Sequence, residues 1–148
     1  MLLHFNGILS QRDALLKVID FMSIVMPKKA TNKEKGLLAD FFLLPKKFEY
    51  HRFSSPARKR LRMNLESLNR PLAVETINTY ISSLIKKGYL YRDEDRIIYT
   101  NTHMKKQIDK LLKSYENGET FKVTLQITPP TEQNGQNKPI TQESNTPN

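Results

Sequence analysis

Apolar positions recur at helical spacing in five stretches of this chain and alternate in two others. The first helix is predicted over 10–26. Ser10 sits three residues ahead of Asp13, and Leu15, Leu16, Val18, Ile19, Met22, Val25 and Met26 follow before Pro27. A second helix opens at Thr31 with Glu34 at the capping-box position. It carries Leu37, Leu38, Phe41, Phe42 and Leu44, and Pro45 closes it. Phe48, Tyr50 and Arg52 then alternate with Glu49, His51 and Phe53, which predicts a short strand with an aromatic face. Ser55-Pro56 reads as an N-cap with proline at the first helical position, and Ala57, Leu61, Leu65 and Leu68 form the stripe behind it.

The next helix is predicted from Val74 to Lys87. Val74, Ile77, Ile81, Leu84 and Ile85 form its core face, and Thr76, Thr79, Ser83 and Lys86 lie opposite, with Glu75 and Ser82 beside them. Lys86 and Lys87 suit the negative end of the helix dipole, and Gly88 suits the left-handed position after it. Tyr89-Leu90-Tyr91 and Ile97-Ile98-Tyr99 flank Asp93-Glu94-Asp95, the pattern of a hairpin. Thr102 is placed to cap a last helix bearing Met104, Ile108, Leu111, Leu112 and Tyr115. Phe121, Val123, Leu125 and Ile127 alternate as a half-buried strand over 120–128. Residues 129–148 are rich in Pro, Asn, Gln and Thr and lack aromatics, so a disordered tail is expected there.

With 148 residues the chain is long enough for one domain with its own core. It has no cysteine, which excludes disulfides, thiolate metal sites and a cysteine nucleophile. No stretch approaches the roughly 20 apolar residues of a membrane span, and the first residues lack the basic start of a signal peptide. A cytoplasmic location, in a bacterium or a phage-infected host, is the expectation. Net charge is +9, and residues 28–70 alone hold twelve Lys/Arg against four acids. Such a pool of cations favours polyanionic partners.

The order helix, short strand, helix, helix, hairpin over 31–101 resembles the winged helix-turn-helix superfamily. The most specific part is residues 72–101, where Thr76-Ile77, Leu84 and Lys86-Lys87-Gly88-Tyr89-Leu90 resemble the recognition helix and wing of MarR- and ArsR-type regulators. The resemblance implies a mainly α fold with small β (α+β). A winged helix-turn-helix domain at 28–101 would be flanked by an N-terminal strand and helix extension (1–27), a C-terminal helix and strand (102–128) and the tail. It also implies a duplex-DNA face. Thr76, Thr79, Ser83 and Lys86 would point into the major groove, with Asn78 and Ser82 at its edges. Arg58 and Arg62, one turn apart, would contact phosphate, with Lys59 as a second choice, and Arg92 and Arg96 belong to the wing.

Two departures stand out. The wing tip carries three acids where groove-gripping wings carry cations, and Ala73 occupies the N-cap of the recognition helix. Enzymatic activity is not expected. His4, His51 and His103 are scattered, no glycine-rich phosphate loop is present, and the acid cluster sits on a turn. No metal or cofactor is expected. The leading expectation is a DNA-binding regulator or a replication or packaging accessory factor, with a possible homodimer through 10–26, 102–115 and 120–128. The rival is a protein-interaction or assembly module, such as a bacteriophage virion component, which the acidic wing would suit.

Overall fold

The computed structural model describes residues 2–6, 10–116 and 122–126. Among them the fold is mainly helical with small antiparallel sheets, an α+β arrangement. Its elements run β1 (Leu2–Asn6), α1 (Gln11–Ser23), α2 (Asn32–Phe42), α3 (Ser55–Ser67), α4 (Val74–Lys86), β2 (Leu90–Arg92), β3 (Ile98–Thr100), α5 (Thr102–Glu116) and β4 (Lys122–Gln126). The expected tail at 129–148 lies outside the described residues.

Local capping sets several of the helix starts. Ser10 Oγ accepts from the Asp13 amide at 3.1 Å and begins α1. At α2 the capping box closes in both directions: Glu34 N donates to Thr31 Oγ1 at 3.1 Å and Thr31 N donates to Glu34 Oε1 at 2.8 Å. Two starts fall one residue before the predicted ones. Ser54, rather than Ser55, caps α3 by accepting from Ala57 N, and Pro56 takes the second helical position. Asn101, rather than Thr102, caps α5, its Oδ1 accepting from the amides of His103 (3.0 Å) and Met104 (3.3 Å).

The predicted strand at 48–53 does not form. A 3-10 turn over Lys46–Phe48 and hydrogen-bonded turns through Ser54 take its place. A strand would send Arg52 and Phe53 to opposite faces and would need a neighbour to pair with. The turn brings both onto the end of α2. Phe53 packs on Phe41 with ring centroids 4.7 Å apart. Arg52 lies over the Phe42 ring at 4.8 Å and donates to the Phe41 and Phe42 carbonyls at 3.5 and 3.4 Å. The Phe42 carbonyl is one that the end of a helix leaves without an internal partner, and the Phe41 carbonyl also accepts from the Leu44 amide at 3.3 Å.

Helices α3 and α4 end alike. After α3, Asn69 adopts φ 57°, its amide reaches the Glu66 carbonyl and the Arg70 amide reaches Leu65. After α4, Gly88 adopts φ 87° and the Gly88 and Tyr89 amides reach the Ile85 and Leu84 carbonyls. Both are Schellman closures, which need a residue tolerant of the left-handed region. The reversal at Asn69 leaves Leu68, placed by its spacing on the core stripe, 60% exposed. Val74, at the opening of α4, is likewise 40% exposed.

The core is continuous. Leu15, Val18 and Ile19 of α1, Leu37, Leu38 and Phe41 of α2, Ala57 and Leu61 of α3, Ile77, Ile81 and Leu84 of α4, and Met104 and Ile108 of α5 are all buried in it. Helix α1 packs on α2 and α5. Leu15, Val18 and Ile19 of α1 and Met104, Ile108 and Leu111 of α5 are buried within the chain. Strand β2 pairs antiparallel with β3 in the register Leu90↔Thr100, Tyr91↔Tyr99, Arg92↔Ile98. The strand predicted over 120–128 forms as β4 and pairs antiparallel with β1, Leu2 opposite Gln126 and Asn6 opposite Lys122. Among the described residues no helix is long and apolar enough to cross a membrane.

Candidate nucleic-acid interface

The basic pool of residues 28–70 is not all available to a ligand. Lys35 pairs with Asp20 at 2.8 Å, Arg70 reaches Asp40 at 3.5 Å, and Arg52 is committed to the end of α2. Arg12 holds Asp40 from the other side at 2.9 Å. Burial lowers the pKa of Arg52 from its ordinary value, against the raising influence of Asp109 and Glu49. What remains outward on α3 is Lys59 and Arg62, with Arg58 half-buried beside them.

Arg58 joins α3 to α4: its Nη1 donates to Asn78 Oδ1 at 2.9 Å. Around this bond lies a cleft of about 250 Å³ lined by Ser55, Arg58, Lys59, Arg62, Val74, Ile77 and Asn78. Three of the lining residues are cations and none is an acid. The structure thus brings Arg58, Lys59, Arg62 and Asn78 to one place, although Asn78 lies a helix and a turn away from the others in sequence.

The outward face of α4 consists of Glu75, Asn78, Thr79, Ser82 and Lys86. It is rotated from the sequence reading. Asn78 and Ser82 are exposed, whereas Thr76 and Ser83, placed at the centre of the face, are half-buried. Ser83 hydrogen-bonds Glu34, which explains the rotation locally. Thr79 Oγ1 donates to the Glu75 carbonyl at 2.8 Å, so its hydroxyl proton is used within the helix and its lone pairs face solvent.

Glu75, placed beside this face by its spacing, is exposed and sets a carboxylate in the outward stripe. One feature went unread in the sequence: Lys87, next to the exposed Lys86, turns inward and donates to Glu34 Oε1 at 2.7 Å. Glu34 is only 4% exposed. Its burial raises the pKa, but hydrogen bonds from Lys87, Ser83 and the Thr31 amide outweigh that and hold it below its ordinary value. The signal for Lys87 was the capping-box glutamate itself, a carboxylate at a buried helix start that needs a cation.

The β2–β3 hairpin carries a different charge. The Arg96 amide closes a turn on the Asp93 carbonyl, and Arg96 follows with φ 66°. Asp93 Oδ1 accepts from Ile97 N at 2.8 Å, and its carboxylate also hydrogen-bonds Tyr99. Desolvation, together with the charge of Asp93, raises the Tyr99 hydroxyl pKa. Tyr99 stacks on the exposed Tyr91 with centroids 5.4 Å apart. Arg92 and Arg96 are exposed and, among the described residues, form no ion pair with the acids between them. Comparison with protein-family models, with curated proteins and with solved structures finds no match to this chain.

Proposed function

We propose that this chain binds duplex DNA as a winged helix-turn-helix protein, with α4 as recognition helix and the β2–β3 hairpin as wing. The observation that carries the reading is the α3–α4 pair. A group of cations with no acid among them adjoins a polar helix face, and the Arg58–Asn78 hydrogen bond ties the two together. Arg58, Lys59 and Arg62 contact phosphate and set the docking register. Asn78, Ser82 and Lys86 reach base edges or the backbone, and a good bidentate pair of Asn78 with adenine is worth ~1–3 kcal/mol of discrimination. Thr79 takes part as an acceptor. Thr76 and Ser83 serve at the margin of the face. The biological role is that of a transcriptional regulator or a replication or packaging accessory factor.

Fluorescence anisotropy on mixed-sequence duplex across a salt series tests this. With four or five phosphates neutralised, log K falls against log salt with a slope of about −4. Arg58→Glu with Arg62→Glu abolishes binding or makes the slope shallower. Absence of wild-type binding even at low salt sinks the proposal.

A second reading rests on one feature, the acidic hairpin with its exposed Tyr91. That surface suits a protein partner and repels phosphate. Replacing Asp93, Glu94 and Asp95 by Ala separates the two: DNA affinity rises if the hairpin abuts the backbone and stays unchanged if it faces a protein.

A further inference from the structure

We infer that the α3–α4 cleft is a discrete binding site for a single phosphate group, able to hold it without a duplex. The inference rests on the nucleic-acid reading only for the source of the phosphate, and the chemistry of the cleft stands by itself.

The first support is an oriented cation. Asn78 Oδ1 accepts from Arg58 Nη1 at 2.9 Å and so holds the guanidinium from the α4 side. Arg58 Nε is enclosed by protein and reports on the guanidinium without being its point of contact. The second support is charge. Arg58, Lys59 and Arg62 all line the cleft with no carboxylate among the lining residues, whereas Arg12 and Arg70, which border another hollow, share Asp40. The third is the cleft's position at two helix starts. Ser55 opens α3 and Val74 opens α4, and Ala73 supplies α4 with no side-chain cap. The first amides of α4 are thus without a side-chain acceptor at the positive end of its dipole. A volume of about 250 Å³ admits a phosphate group with attendant water.

A guanidinium and two flanking cations favour a tetrahedral oxyanion over a flat apolar ligand, while Val74 and Ile77 close the wall of the cleft. Two sources supply that group: the diester of a nucleic-acid backbone, and the terminal monoester of a nucleotide end or a small phosphorylated molecule.

The test is a titration of the full chain with inorganic phosphate and, separately, with dimethyl phosphate. It is followed by the Arg Nε–Hε and backbone amide resonances at constant ionic strength in sodium chloride. The expected result is a saturable shift of Arg58 Nε–Hε, with Ser55, Val74 and Glu75 amides following at the same midpoint. Arg58→Gln weakens this by roughly tenfold or more, the loss of a charge-assisted hydrogen bond. Asn78→Ala, which keeps the cation but releases its orientation, weakens it less and carries the test if Arg58→Gln unfolds. Saturation by both probes supports a site for either source, and saturation by inorganic phosphate alone assigns the monoester. Shifts spread over all lysines and arginines without saturation, or unchanged in both variants, overturn the inference. A parallel duplex titration keeps the outcomes apart. Duplex binding without local phosphate binding removes this site and leaves the proposed function. Local phosphate binding without duplex binding does the reverse.

Discussion

Replacing Lys87 by Met strips the cation from a carboxylate that is only 4% exposed. Glu34 then keeps its hydrogen bonds from the Thr31 amide and Ser83 but loses the 2.7 Å contact with Lys87 Nζ. Breaking one side of a buried pair costs roughly 3–5 kcal/mol. The Lys87 side chain is 21% exposed, so water replaces part of the loss, and the expected destabilisation is about 2–3 kcal/mol. Glu34→Gln costs less, about 1 kcal/mol, because glutamine still completes a capping box. The double variant should recover at least about 1 kcal/mol relative to the sum of the two, since neither leaves the other's charge stranded. The assay is urea unfolding at several pH values.

Glu34 has a folded-state pKa below its ordinary value of 4.5, so at pH values above 4.5 the pair contributes in full. As the pH falls through the folded pKa the unfolded chain is already protonated, and the contribution vanishes. The cost of Lys87→Met should therefore shrink in acid. A cost below about 0.5 kcal/mol at neutral pH, strict additivity in the double variant, or equal costs at pH 7 and well below 4.5 would refute the reasoning.

Three further substitutions probe the frame around the interface. Tyr89→Phe removes the hydroxyl that accepts from the buried Ala30 amide at 3.1 Å, and thermal unfolding should show a loss of about 1–3 kcal/mol. Arg96→Gly relieves a left-handed backbone at the hairpin turn, roughly 1–2 kcal/mol against a glycine entropy cost of roughly 0.5–1 kcal/mol, and urea unfolding should show a net gain of about 0.5–1 kcal/mol. Asn101→Ala deletes the cap of α5 and should cost about 1 kcal/mol, read by the same denaturation assay.

The helices were legible because their signals are local. Thr31 with Glu34, Gly88 after a lysine pair, and apolar residues every third or fourth position act within one or two turns of chain. Their effect hardly depends on what lies across the fold. The segment 48–53 misled because its alternation is real but a strand needs a partner. Arg52 and Phe53 found theirs on the end of α2, in a geometry that turns satisfy and strands do not. The candidate interface divides in the same way. The sequence by itself determined that the chain carries a large basic excess between residues 28 and 70, and that an amphipathic helix ends at Gly88. Only the tertiary structure decided which of those cations are free. Lys35, Arg52 and Arg70 are drawn to Asp20, the end of α2 and Asp40, while Lys87 of the lysine pair turns in to Glu34. It also rotated the outward face of α4 toward Asn78 and set Arg58 against it. The reason is physical: a charge announces itself in sequence, but whether it meets a carboxylate, a carbonyl or solvent depends on contacts between residues far apart along the chain.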